Sequence, residues 1–148
     1  MKRFTFSLDR VLAWRRIEAR RERLRWEQIR AELGAIDAER DALRAERINS
    51  AARLRSARSA LGEELEALDR FRHYVDAEQA RLAQKRAGCE RRLIEQSRVA
   101  AAKERDVKIL EHLRERRFRD WKIESDREIE QQAAEAFLAR WQKDDFLF

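Results

Sequence analysis

Apolar and small residues recur along this chain at alternating steps of three and four, and this spacing constrains the fold more than any other feature. A first stretch consists of Trp26, Ile29, Leu33, Ile36, Arg40 and Leu43 and, after a slip near Arg47 and Ile48, Ala51, Leu54, Leu61, Leu65 and Leu68. A second stretch consists of Leu82, Cys89, Leu93, Ala100, Val107, Leu110, Leu113 and Trp121. A mean step near 3.5 residues is the signature of a coiled coil. The spacing therefore predicts an all-α chain that packs along a narrow apolar seam.

The composition leaves little material for anything except helix. The chain has 148 residues, of which 43% are charged, with no proline and three glycines. A single helix of this length would extend roughly 220 Å at 1.5 Å per residue. Such a helix would expose its seam along its whole length, so the chain has to fold back on itself or form a dimer.

The charge distribution favours the fold-back. Residues 1–30 hold ten Lys or Arg against four Asp or Glu, whereas residues 120–148 hold eight acidic and four basic residues. An antiparallel hairpin brings these two ends together, while a parallel dimer would place like charges side by side. We therefore predict a long two-helix antiparallel coiled-coil hairpin that is monomeric alone.

The only cluster of helix-disfavouring residues lies near the middle of the chain, at Ser56, Ser59 and Gly62. Glu63 and Glu64 follow it, and acidic residues suit the first turn of a new helix. We predict one domain over 1–148, with helix 1 at about 6–56, the turn at about 57–64, helix 2 at about 65–142 and a tail at 143–148. Residues 70–80 are the second candidate for the turn.

Residues that could carry chemistry are few and scattered. His73 and His112 are far apart, and the glycines are isolated from any Lys-Ser or Lys-Thr pair that would suit a phosphate loop. Cys89 occupies a seam position without a His or Asp pattern, which indicates a small buried residue rather than a nucleophile. We expect no catalytic residue, no metal and no cofactor.

Two features of the sequence predict a cytoplasmic protein. The N-terminus meets charged residues before any apolar run long enough for a signal peptide, and no stretch is apolar enough to span a membrane. A single cysteine also excludes an intramolecular disulfide.

Two terminal motifs resemble those of the FliJ family, the coiled-coil proteins of the flagellar type III export apparatus. The opening motif consists of Phe4, Phe6, Leu8, Val11, Leu12 and Arg15. The second motif runs through residues 110–117 and continues with Trp121, Glu124, Glu128, Glu130 and Glu135. The length of the chain and its coiled-coil centre agree with the same family.

The resemblance implies a hairpin similar to the stalk subunit of rotary ATPases. Such a protein binds the export ATPase hexamer, regulates it, couples it to the cytoplasmic domain of the membrane export gate and escorts export chaperones. It would be cytoplasmic and peripheral to the inner-membrane export apparatus. The resemblance implies ATPase-ring contacts at Phe4, Phe6, Leu8, Val11, Leu12, Arg15, Leu110, Leu113 and Trp121. Gate contacts are expected at Phe71, Tyr74 and Val75, which we expect to form one exposed apolar turn.

Two other functions fit parts of the sequence. The arginine cluster over residues 15–25 could contact phosphates in a basic coiled-coil nucleic-acid binder, although interspersed Glu residues dilute it. A mobility shift with DNA at about 150 mM salt separates this function from a stalk. A generic structural coiled-coil dimer is the other alternative, and sedimentation equilibrium separates it from a monomeric hairpin.

Overall fold

The computed structural model describes residues 3–56 and 62–145, and two long α-helices account for most of them. α1 covers Asp9–Ser56 and α2 covers Gly62–Asp145, and the described residues contain no strand. The protein is an all-α two-helix antiparallel hairpin, the fold class predicted from the heptad spacing and the charge distribution.

α1 begins at Asp9 rather than near residue 6. The Asp9 N–H donates to the Phe6 carbonyl at 3.2 Å, and the Leu12 N–H donates to the Leu8 carbonyl at 2.9 Å as the first helical hydrogen bond. Phe6 therefore precedes the helix, in a short lead-in that is not helical.

α2 begins at Gly62, ahead of the start expected near residue 65, and Glu63 and Glu64 lie in its first turn. Acidic side chains there complement the positive end of the helix dipole. Residues 57–61 of the turn predicted at 57–64 lie outside the described residues. At its other end α2 continues to Asp145, into the range expected to be a tail.

Contacts divide the chain into two compact units, which are described separately. The terminal unit combines Met1–Ala19 with Lys103–Phe148, and the central unit is Arg20–Ala102. Each contains a segment of α1 and a segment of α2.

The central unit has a small apolar core at the seam, the line of positions at which the two helices face each other. Its buried residues are Ile36, Leu82 and Cys89, and half-buried Ile29, Leu33 and Leu43 pack against them. Arg92 pairs with Glu32 at 2.9 Å, and Asp76 pairs with Arg47 at 3.1 Å. The α2 partner moves back along the chain as the α1 residue advances, so the two segments are antiparallel.

Polar residues interrupt this seam and bond across it. Gln79 Nε2 donates to the Arg40 carbonyl at 3.1 Å, and Gln96 Nε2 donates to the Glu22 carbonyl at 2.9 Å. Ile48, at which the sequence shows a slip, is 67% exposed, while Ser50 and Leu54 are half-buried. The hydrogen bonds of Gln79 and Gln96 cross the seam, and polar contacts at seam positions fix the register of a coiled coil while lowering its stability.

The terminal unit pairs the start of α1 with the second half of α2. Asp9 lies 3.3 Å from Arg114, Arg16 lies 3.0 Å from Glu111, and Lys103 Nζ lies 3.7 Å from Glu18. The segments are again antiparallel, and the buried residues of this unit include Phe6, Leu12, Ala19 and Ser125.

Beyond Ser125, α2 has no partner within the described part of this unit. Every side chain from Asp126 to Lys143 is exposed. The prediction that the acidic residues of 120–148 neutralise the basic start of the chain is therefore wrong in its details. Carboxylates such as Glu111 and Asp106 provide the observed ion pairs, because α2 extends past the first described residues of the chain.

Candidate interaction surfaces

An aromatic cluster in the terminal unit joins the two motifs that the sequence singles out. The Phe4 ring centroid lies 5.2 Å from that of Phe118 in an edge-to-face arrangement and 5.7 Å from that of Trp121. Phe118 and Trp121 stack one turn apart on α2, with centroids separated by 5.7 Å. Aromatic pairs at such distances contribute about 0.5–1.5 kcal/mol each beyond simple burial. The cluster therefore attaches the non-helical start of the chain to α2.

The residues expected to contact the ATPase ring fall into different environments in this unit. Phe6 and Leu12 are core residues, so they hold the helices together and are not available to a partner. Val11 is 42% exposed. Arg15 Nη1 lies 3.2 Å from Glu18 and 3.7 Å from Asp106. The half-buried members are Phe4, Leu8, Leu110, Leu113 and Trp121.

An apolar stripe on the unpaired end of α2 was missed by the sequence-based site prediction. Phe137, Leu138 and Trp141 are 62%, 62% and 65% exposed. With Ala134 they follow the i, i+3, i+4, i+7 spacing of an amphipathic helix, and this spacing was the signal that could have found them. Trp14 on α1, in the same unit, is also more than half exposed.

The residues expected to contact the gate lie together in the central unit, although not as one exposed turn. Tyr74 is exposed, and its ring centroid lies 6.5 Å from that of half-buried Phe71. Val75 is only 1% exposed, so the expectation of exposure is wrong for this residue. Val75 shares the heptad of Leu82, which directs both side chains into the seam.

Titratable side chains form no metal-binding cluster among the described residues. His73 lies 3.5 Å from Asp69 and His112 lies 3.8 Å from Glu115, in both cases on the same helix. Cys89 is buried, as predicted, and its Sγ is 3.5 Å from the Ile29 carbonyl to which it donates.

Arg86 forms the main charged contact of the central unit. Its Nε donates to Asp37 Oδ1 at 2.7 Å, and its Nη1 donates to Glu90 Oε1. The hydrogen bond from Arg86 lowers the pKa of the Asp37 carboxyl, while desolvation opposes it more weakly. Arg86 in turn has a raised pKa, mainly because of the hydrogen bond to Asp37.

Several members of the arginine cluster proposed for nucleic acid are engaged with carboxylates. In the terminal unit, Arg16 Nη2 lies 3.0 Å from Glu111. In the central unit, Arg25 lies 2.9 Å from Glu22 and Arg23 lies 3.6 Å from Glu27, and both pairs are within α1. Paired arginines have fewer free donors for phosphates.

Within the described residues, neither helix has an apolar stretch that could span a bilayer. Comparison with protein-family models, with curated proteins and with solved structures gives no match.

Proposed function

We propose that this chain is a non-enzymatic interaction protein of the FliJ type, whose terminal unit is held by an export ATPase ring. The observation that carries the proposal is the contact of Phe4 with Phe118 and Trp121, at 5.2 and 5.7 Å between ring centroids. This contact brings the two motifs that resemble the family into one apolar cluster.

Uncovered apolar side chains around the two motifs support a protein partner at this unit. Val11, Trp14, Phe137, Leu138 and Trp141 are all at least 42% exposed. The last three form one stripe on α2, whereas Val11 and Trp14 lie at the start of α1. Exposed apolar stripes mark interaction surfaces, and tryptophan is among the residue types enriched in interface hot spots. A ring pore with an apolar lining would cover these side chains.

In this proposal, the hairpin acts as an asymmetric shaft. One chain inside a ring of identical subunits contacts them unequally, and this inequality favours ring assembly and sequential hydrolysis of nucleotide. The nucleotide belongs to the ring, and the hairpin supplies only contacts. Phe71 and Tyr74 in the central unit contact the export gate, at the cytoplasmic face of the membrane. Escort of export chaperones is the remaining role that the resemblance implies.

Charge introduced on the exposed apolar side chains tests the ring contact. The Val11→Glu/Trp141→Glu variant should no longer co-purify with a flagellar export ATPase or stimulate its phosphate release. Both side chains are exposed, so the circular dichroism spectrum should remain that of wild type. Ile94→Glu, at an exposed apolar position of the central unit, is the matched control and should bind normally. Unchanged association of the double variant would refute the ring contact.

The gate contact has its own test in the central unit. Phe71→Ala combined with Tyr74→Ala should weaken binding to the cytoplasmic domain of a flagellar export gate, while ATPase association remains. Val75 is left unchanged because it is buried. Ile48→Ala removes an exposed apolar side chain of the same unit and serves as the control. Equal gate binding by the double variant and the control would refute the contact.

A further inference from the structure

Three arginines cluster along the α1 side of the central unit. Arg40 and Arg47 continue the heptad of Ile36 and Leu43, and Arg44 lies one turn after Arg40. Long guanidinium side chains do not fill seam positions as leucine does, and the helices leave an open cleft of about 320 Å³ here. The cleft is lined by Arg40, Arg44, Arg47, Val75, Asp76 and Gln79.

The cleft holds more hydrogen-bond donors than acceptors. Asp76 Oδ1 accepts a hydrogen bond from Arg47 Nη1 at 3.1 Å. The Gln79 amide nitrogen already donates to the Arg40 carbonyl oxygen at 3.1 Å. Arg40 Nε is buried without a hydrogen-bond partner. Arg44 forms no ion pair of 4 Å or less with any described residue. The Arg40 Nε atom is enclosed by the protein, so the Arg40 donors that a ligand can reach are the terminal guanidinium nitrogens.

Asp37, three residues before Arg40 on the same helix, does not balance these charges. Asp37 is attracted electrostatically by Arg40, but its two carboxylate oxygens already accept hydrogen bonds from Arg86 at 2.7 and 3.5 Å. The free donors of the cleft are therefore those of Arg40 and Arg44. A carboxylate accepts two parallel N–H bonds from a guanidinium, which makes it a well-matched ligand.

We propose that this cleft binds a side-chain carboxylate presented by an acidic segment of a partner protein. The carboxylate lies between Arg40 and Arg44 and accepts from the terminal nitrogens of both guanidinium groups. Asp76 in the cleft, and Glu39, Asp41 and Glu46 interspersed along α1, disfavour a nucleic acid. A continuous phosphate backbone would meet these carboxylates, whereas a single acidic side chain avoids them. The proposal is independent of the ATPase-ring contact.

Fluorescence anisotropy with a fluorescein-labelled peptide of alternating Glu and Ala tests the proposal. Arg40→Gln and Arg44→Gln should each weaken peptide binding about tenfold, because each removes a charge-assisted hydrogen-bond donor. Arg91→Gln removes the same charge from an exposed position elsewhere in the unit and should bind as wild type does. Equal weakening by Arg91→Gln would overturn the proposal, because it would indicate general attraction by positive charge.

Further measurements locate the contact. The Arg40 Nε–H resonance in a ¹⁵N correlation spectrum should shift on addition of the Glu-Ala peptide, and an unmoved resonance at saturation would overturn the proposal. The Arg44→Glu variant should no longer bind the Glu-Ala peptide. A single-stranded oligonucleotide that binds more tightly than the Glu-Ala peptide would also overturn it. Matching thermal unfolding of Arg44→Gln and wild type would show that lost binding is not lost folding.

Discussion

Arg86 Nε donates to Asp37 Oδ1 at 2.7 Å across the two helices of the central unit. Arg86 occupies a seam position that is only partly exposed, four residues after Leu82, and the same guanidinium also bonds Glu90 on its own helix. One side chain therefore connects the two helices and braces α2 next to the apolar core. This contact makes the stability of the hairpin sensitive to acid.

The first prediction concerns Asp37→Asn. Because the pKa of Asp37 is lowered in the folded state, the unfolded chain takes up the proton first, so acid favours unfolding. The stability that the ion pair contributes should be fully present above the unfolded pKa of about 3.9 and lost as the pH falls through the lower folded value. Thermal unfolding of wild type and Asp37→Asn should therefore converge in acid and diverge near neutral pH. Parallel profiles over the whole pH range would contradict the prediction.

Arg40→Leu should stabilise the protein. The substitution replaces a seam arginine whose Nε is buried without a partner by a side chain that fills the seam. We expect a gain of about 1–2 kcal/mol in the free energy of unfolding, from apolar burial and removal of the unpaired donor. Urea unfolding followed by circular dichroism measures it. Arg44→Leu, at an exposed neighbouring position, is the control and should show little gain, so an equal gain there would argue against a seam effect.

Leu82→Ala should lower the free energy of unfolding by about 2–4 kcal/mol, because Leu82 is 1% exposed and belongs to the small core. With so few buried residues, the loss should lower the thermal midpoint strongly. Ile94→Ala removes a comparable side chain that is 63% exposed and should change the stability by less than about 0.5 kcal/mol. Similar effects of the two substitutions would contradict the described packing.

Phe4→Ala should loosen the start of the chain without unfolding the helices. The substitution removes both ring contacts that attach this segment to α2. Amide exchange at residues 3–12 should become faster by about tenfold or more, corresponding to a loss of about 1–2 kcal/mol, while far-ultraviolet circular dichroism remains unchanged. Phe137→Ala, at an exposed position of the same unit, should leave exchange at residues 3–12 as in wild type.

The Cys89 thiol should report opening of the central unit. Cys89 is buried beside Leu82, so a thiol reagent should modify the native protein slowly and the urea-unfolded protein rapidly. Leu82→Ala should accelerate labelling of the folded protein, while Ile94→Ala should not. Fast labelling of wild type under native conditions would show that Cys89 is accessible.

Much of the seam could be predicted from the sequence, because coiled-coil periodicity is a local property. Leu82 and Cys89 recur at seven residues and both are buried, and Ile36 is buried by the same rule. Val75 belongs to that heptad as well, yet its position between Tyr74 and Asp76 suggested an exposed apolar turn. Sequence adjacency on a helix does not determine which side faces the partner helix.

The candidate interaction surface was less predictable. Leu12 and Phe6 form part of the motif that resembles the family, but their burial assigns them to the core. The stripe at Phe137 and Trp141 follows a helical spacing that also occurs in buried seams. Its exposure depends on where α1 and the lead-in stop pairing with α2, and spacing within α2 carries no information on that point.

The sequence by itself determined that this protein is helical and that its apolar seam is narrow, because it lacks proline and has heptad spacing. The charge of the two ends favoured antiparallel helices, but the ion pairs to Asp106 and Glu111 that support this pairing are a property of the tertiary structure. The tertiary structure decided the register, which places Gln96 opposite Glu22 and Arg86 opposite Asp37. It also decided which apolar residues remain exposed. The physical reason is that a shift of one whole heptad keeps every apolar residue in the seam. Only the cross-seam polar pairs distinguish one register from the next.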